Sequence, residues 1–382
     1  MKDWLVRHRR YFHLHPETSD NETATTNKIA AILQELGVEV QTFEGMTGVA
    51  GLIKAREPHK TIALRADIDA LPIQEMNDVP YKSGNNEVMH ACGHDGHISI
   101  ILGVVKKIQE SRLSEKLNGN LKFIFQPAEE LGTGAKRLIE NGVLENPHVD
   151  FIIGCHLFPD LPLGTVGINR TQGFASADRF SLIIRGKGAH AAHPHEGIDP
   201  IVAGAFFVTA IQSIIGRNVS PLESGVITVA RFMAGDAANV IPRQAELQGT
   251  IRALNNALRD KLISRMREVT EATQKGFNVS CDFQLHESAP ACINHEEVSL
   301  LLHEAASRVV GAEKVKFMNP TMGAEDFAFY TLERPGAIFR LGCSNKERGL
   351  THPLHSPYFD FDEDALVVGV DVFVEAIKRF LG

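Results

Sequence analysis

No Cys-x-x-Cys pair occurs anywhere in the chain, and its five cysteines (Cys92, Cys155, Cys281, Cys292, Cys343) are scattered and odd in number. That usage argues against both a closed structural zinc site and a disulfide framework, and it suits reduced thiols. Positive charge is not in excess. Lys and Arg number 39 against 47 Asp and Glu, a net charge of -8, so neither nucleic acid nor an anionic membrane is expected as a partner. No apolar run approaches the length of a membrane span. The start of the chain, from Met1-Lys2-Asp3-Trp4 to Arg9-Arg10, is charged and amphipathic and lacks the apolar segment of a signal peptide. A cytoplasmic location is the expectation. Internal repeats and low-complexity linkers are absent too, and 382 residues exceed what one core commonly serves, so two domains are expected.

What the chain does contain is His90-Ala91-Cys92-Gly93-His94-Asp95-Gly96-His97, where imidazoles, a thiol and a carboxylate crowd together with glycines between them. These side chains bind borderline-soft divalent metals, and glycine lets the backbone turn so that near neighbours face one ion. His90 and His94 have a zinc-finger-like spacing but no cysteine pair to complete it. The pattern suggests an open, catalytic metal site that recruits its remaining ligands from far along the chain.

The rhythm of the sequence gives the organisation. Ser19-Asp20-Asn21-Glu22 has the form of a capping box with Ser19 as cap, opening a helix to Leu36 that Gly37 stops. Strand-like runs recur at Gly48 to Ala55, Thr61 to Ala66, Leu121 to Gln126 and Val149 to His156, with a helix at Ile98 to Gln109. This alternation predicts an α/β sheet of parallel strands with helices on both faces. From about Ser176 the order becomes strand (Arg179 to Arg185), helix (Pro200 to Ile215), strand (Gly225 to Met233), strand (Ala245 to Leu254), helix (Leu258 to Lys275) and strand (Val279 to Leu285). That is a ferredoxin-like βαββαβ unit. We read residues 174–286 as a domain inserted into a discontinuous α/β domain of residues 1–173 and 287–382. The latter resumes with a helix near Val298 to Val309, a strand near Ala337 to Leu341 and a last helix from Asp364 to Phe380.

Four more segments carry chemistry. Arg65-Ala66-Asp67-Ile68-Asp69, Gln126-Pro127-Ala128-Glu129-Glu130 and Gly154-Cys155-His156-Leu157 all fall at strand ends, and His355 precedes the final helix. Taken singly, the glutamates would suit a helix dipole, either aspartate could cap a turn, and the histidines could be hydrogen-bonded core residues. Strand ends in an open α/β sheet converge, however, and three of them bear metal-type ligands. Cys155, next to His156 on a strand, should face the opposite way.

These segments, with Asn239-Val240-Ile241-Pro242, Leu354-His355-Ser356-Pro357 and a likeness beginning at His13-Leu14-His15-Pro16-Glu17, resemble the amidohydrolase branch of the aminoacylase and glutamate-carboxypeptidase metallopeptidase family. That branch includes hydrolases of hippurate, of N-acyl amino acids and of auxin conjugates. The resemblance implies an α/β metallopeptidase catalytic domain with an inserted lid and dimerisation domain, and two divalent metal ions. It implies Cys92 as the bridging ligand, His94, Glu130, His156 and His355 as the others, and Glu129 as catalytic base. It further implies that His190, in Gly186-Lys187-Gly188-Ala189-His190, stabilises an oxyanion, reaching across a homodimer to the partner's metals, and that Asn239 and Arg252 hold a substrate carboxylate. His193 and His195 are taken as structural or rim residues.

Many members of the wider family carry a His-x-Asp metal motif where this chain has Arg65-Ala66-Asp67, and an arginine cannot coordinate. His94 then replaces that ligand, and Asp67 orients a ligand from behind. The mixed donor set suits zinc, manganese, cobalt or nickel. The expected reaction is metal-dependent hydrolysis of an N-acyl amino acid or related small amide. The alternatives are a dipeptidase of the same fold and a non-catalytic metal- or ligand-binding relative, which would typically have lost the base or a ligand.

Overall fold

A computed structural model describes residues 1–56 and 59–382 and, at 287 and 288, the backbone alone. The chain divides into two compact units: Met1–Thr171 with Ile293–Asn319 and Asp326–Gly382, and Gln172–Cys292 with Pro320–Glu325.

Burial patterns along the strands separate the two units. In the first, Lys60–Asp67 and Gly119–Gln126 are buried on both faces almost throughout, the signature of a sheet covered on either side. In the second, Ala177–Arg185 and Gln244–Ala253 alternate buried with exposed or half-buried positions, as a sheet with one face on the core requires.

The first unit is built on an eight-stranded sheet whose order is Glu39–Thr42, Val49–Ile53, Gly119–Gln126, Lys60–Asp67, Phe151–Pro162, Gly336–Ser344, Val166–Ile168, Val315–Phe317. Its centre is parallel, from Gly119–Gln126 through to Gly336–Ser344. The sheet is not parallel throughout, because Val49–Ile53 and Val166–Ile168 pair antiparallel with their inward neighbours. Both join their neighbours through short or indirect connections whose direction hydrophobic patterning does not encode. The helices His94–Ser111, Glu296–Val310 and Asp364–Leu381 pack together on the sheet, and Gly134–Glu140 pairs with Ala328–Glu333.

Ser19 does not cap the second helix, which runs Thr23–Glu35. The Glu17 carboxylate takes that role, accepting from the N–H groups of Ala24 (3.1 Å) and Thr25 (2.7 Å). Ser19 instead donates to Asp69 Oδ2 at 2.7 Å. Propensity marked the right turn, and a long-range partner claimed the hydroxyl.

The first helix, Lys2–Leu14, is fastened by charge. Arg9 is fully buried, with Nε 2.8 Å from Asp95 Oδ2 and Nη2 2.7 Å from Asp360 Oδ1. Its guanidinium also lies 4.4 Å from the centre of the Phe361 ring. Removing one partner of such a pair strands the others, so Arg9→Met should cost about 3–5 kcal/mol in urea unfolding. A variant as stable as the parent would show that the pairing contributes nothing.

The second unit is a four-stranded antiparallel sheet ordered Gly225–Ala234, Gln244–Ala253, Ala177–Arg185, Ser280–Ala289, backed by helices Pro200–Asn218 and Asn256–Phe277. Order and pairing are those of the ferredoxin-like βαββαβ arrangement. One expectation fails here. The helix Pro200–Asn218 is, by length and composition, apolar enough to cross a membrane, although only 33% of that window is buried. Ala203, Phe207, Ile211 and Ile214 supply its core face, while Ile201, Val202 and Phe206 add an exposed apolar face. Two apolar faces on one helix produce the long run.

Candidate metal and catalytic site

The site is assembled at the C-terminal ends of the central strands of the first unit. Asp67 and Gln126 end adjacent parallel strands in register, and His156 lies on the next strand over. Gly93, at φ +86°, turns the chain so that Cys92 stays in the preceding loop and His94 opens the helix His94–Ser111. His355, itself at φ +64°, is pinned by its N–H to the Ala91 carbonyl at 2.8 Å.

These segments bring ligand atoms together. Within 4.8 Å of one another lie the donor atoms of Cys92, His94 and His156, those of Cys92, Glu130 and His355, and those of His94, Glu129 and Glu130. Cys92 Sγ is 3.5 Å from His156 Nε2, and Glu130 Oε1 is 3.5 Å from His355 Nε2 and 3.9 Å from His94 Nε2. Cys92 therefore stands in two of the groups, as a bridging ligand must.

Hydrogen bonds decide which nitrogens are available. His94 Nδ1 donates to the Asp69 carbonyl at 2.9 Å and His156 Nδ1 to the Leu157 carbonyl at 2.7 Å, so both turn Nε2 toward the cluster. His94 Nε2 and Glu130 Oε1 are buried without a hydrogen-bond partner among the described residues. Two such orphaned atoms facing one another are costly unless a proton or a metal ion joins them, and a thiolate, imidazole and carboxylate set suits a divalent ion. The residues fit the metals that the resemblance implies.

Charge agrees. Burial opposes a charged His94, yet Asp67, Asp69 and Glu130 outweigh it and hold its pKa at about 10. Burial, then the neighbouring His94 and Asp69, set Glu130 at about 7. Burial, followed by the charges of Glu130 and Glu129, pushes the Cys92 thiol well above its usual range. The surroundings are thus strongly negative, and a proton on His94 Nε2 competes with a metal for one lone pair.

His97 is close enough to join a group with Asp67 and His94, but both its nitrogens are engaged. Nε2 accepts from the Leu157 N–H at 2.8 Å, which fixes the proton on Nδ1, 2.5 Å from Asp67 Oδ1. His97 therefore props the backbone beside His156. Asp67 stands behind the cluster, its other oxygen 2.8 Å from Arg65 Nη1 and 3.7 Å from His94 Nε2. Asp69, which the sequence places in a chemical segment at a strand end but gives no role beyond capping a turn, holds two of the segments at once. Its carbonyl takes His94 Nδ1–H, and its Oδ2 accepts the Glu130 N–H at 3.0 Å.

Two members of the dense motif turn away. His90 is buried with neither ring nitrogen hydrogen-bonded among the described residues, and burial pushes its pKa to about 4. Asp95 faces Arg9 and His13.

The remaining sequence-derived residues belong to the second unit. His190 and Asn239 are exposed and come together at a small two-stranded antiparallel sheet, in which His190 pairs with Val240 and the Ala191 N–H donates to the Asn239 carbonyl at 3.0 Å. Arg252, half-buried on the strand Gln244–Ala253, donates from Nη1 to the Met322 carbonyl at 3.2 Å.

Comparison with known proteins extends the geometry. Residues 63–379 match the model of peptidase family M20/M25/M40. The chain is 40% identical over 372 residues to an N-acetylcysteine deacetylase of Bacillus subtilis, covering 97% of this chain and 95% of that one. It is 37% identical over 383 residues to the IAA-amino acid hydrolase ILR1-like 4 of Arabidopsis thaliana, covering 99% and 86%. Among solved structures, the YXEP protein of Bacillus subtilis, described as a dinuclear metal-binding peptidase of the M20 family, superposes with a TM-score of 0.86 at 36% identity, covering 100% and 98%.

Proposed function

Because the chain belongs to peptidase family M20/M25/M40 and to its amidohydrolase branch, we propose that it hydrolyses the amide bond of N-acyl amino acids to a carboxylic acid and an amino acid. The observation that carries this reading is that His94 Nε2 and Glu130 Oε1 are buried side by side without a hydrogen-bond partner among the described residues, in groups shared with Cys92, His156, His355 and Glu129. Cys92, His94, Glu130, His156 and His355 would hold two divalent ions, with zinc, manganese, cobalt or nickel all suited to the donors. When bound, such ions supply positive charge that acidifies water and polarises a carbonyl.

Glu129 does the proton work. Its carboxylate takes a proton from the attacking water as the oxygen bonds to the amide carbon. It then delivers that proton to the nitrogen as the C–N bond breaks, without which an amine anion would have to leave. Asp67 and His97 hold the His156 side of the site in place. Asn239 and Arg252 would grip the carboxylate of the amino-acid half, a task for which a guanidinium suits. A screen of N-acetyl, N-benzoyl and N-indolylacetyl amino acids beside simple dipeptides, with added metal, tests the reading. Cleavage of none of the acyl amino acids would sink it.

The second unit is proposed to serve as lid and dimerisation domain. Its edge strand Gly225–Ala234 exposes Val226, Phe232 and Met233, and the adjoining helix exposes Ile201, Val202 and Phe206. A free strand edge beside an apolar helix face suits pairing with a second copy about a two-fold axis. In that dimer His190 would donate to the oxyanion of the partner's site. Neither a Glu129→Gln nor a His190→Ala homodimer should then be active, yet a re-assembled equal mixture should recover about a quarter of the sites. No recovery, with mixed dimers verified by mass, would rule out sharing.

A further inference from the structure

The turn that presents Glu129 and Glu130 holds an unfavourable backbone conformation. Ala128 sits at φ +50°, in the left-handed region that residues with a Cβ avoid. Neighbours hold the turn closely on either side. A Cβ at Gly134 would lie 1.6 Å from the Pro127 carbonyl oxygen, and one at Gly48 would lie 2.6 Å from Pro127 Cδ. The Ala128 carbonyl accepts from the N–H groups of Thr133 (3.3 Å) and Gly134 (3.2 Å).

The N–H of Ala128 goes to a side chain over a hundred positions away. It donates to Glu22 Oε1 at 2.8 Å, while Glu22 Oε2 accepts from Thr47 Oγ at 2.7 Å. Glu22 is 0% exposed, and burying a carboxylate is costly unless its bonds matter. Capping does not explain it. Although Glu22 precedes the helix Thr23–Glu35, the first free N–H groups of that helix are already taken by Glu17. The same short segment reaches the next ligand as well, since Ser19 supports Asp69 Oδ2, the acceptor of the Glu130 N–H.

We propose that Glu22 is a positioning residue for the reaction, its buried carboxylate holding Ala128 in the left-handed turn that aims Glu129 at the water and Glu130 at the ions. This rests on the function proposed above. Glu22 touches neither substrate nor metal in this account, and it acts through the backbone of Ala128.

The test compares Glu22→Leu with Glu22→Gln, reading kcat, KM and the chelator concentration that strips half the metal. Misplacing a catalytic group by about 1 Å costs on the order of 100-fold. Glu22→Leu should therefore lose about 100-fold in kcat with little change in KM, and release metal at lower chelator. Glu22→Gln keeps an acceptor for the Ala128 N–H and a donor for Thr47, and should recover most of both. Adding Ala128→Gly to Glu22→Leu should restore part of kcat, because glycine takes a positive φ without strain. Should Glu22→Leu not fold, Glu22→Asp replaces it, keeping the charge but shortening the reach, with the same losses expected. A folded Glu22→Leu or Glu22→Asp with parental kcat and metal retention overturns the proposal, as does Glu22→Gln as impaired as Glu22→Leu. If the unaltered protein cleaves no amide, the proposed function fails, and the chelator series alone decides the role of Glu22.

Discussion

Glu129→Gln is expected to keep its metal and lose turnover by about 10²–10⁴-fold, the range for removing a positioned general base. The amide is nearly isosteric with the carboxylate, so the turn around Ala128 should persist, but it cannot accept the water's proton. Glu130→Gln is expected to behave differently. Its Oε1 lies within 4 Å of both His94 Nε2 and His355 Nε2, so the neutral amide should weaken metal binding and activity together. Metal content measured beside rate in each variant separates the neighbours. An emptied site in Glu129→Gln with a full one in Glu130→Gln would reverse the two assignments.

Cys92→Ser should produce the largest loss of metal of any single substitution. Cys92 stands in the group with His94 and His156 and in the group with Glu130 and His355, so its removal weakens both halves. A hydroxyl is a poorer bridge than a thiolate because it gives up its proton far less readily. The elemental content of purified Cys92→Ser should fall well below the parent's, and added metal should restore only part of the rate. Parental metal content in the folded variant would show that the thiol is not a ligand.

Much of this was legible in the sequence because it lies in periodicity and residue type. Period-two patterning at Arg179 to Arg185 and Ala245 to Leu254 located strands of the second unit, and continuous apolar runs located the buried centre of the first. Glu130 and His156 stand in segments that read as converging strand ends, Cys92 and His94 in the dense motif and His355 before the last helix; the family resemblance joins the five as one ligand set, and their donor atoms fall into two groups that share Cys92. The supporting shell did not announce itself. Nothing local distinguishes Glu22 or Ser19 from helix-capping residues, or Asp69 from a turn residue, because their partners lie tens of residues away. His97 has no role of its own in the sequence reading, and its part in holding the backbone shows only in the bond from the Leu157 N–H to its ring. The antiparallel flanks of the large sheet were hidden for a related reason: patterning reports which face a residue takes, not which way its strand runs.

The most direct test of the account is titration of metal-stripped enzyme with divalent ions, following bound metal and hydrolysis of an N-acyl amino acid in the same samples. Hydrolysis absent without metal and rising to its plateau as two ions bind per chain is the result predicted by a shared Cys92 bridge. Full hydrolysis by protein verified to be free of metal would contradict it.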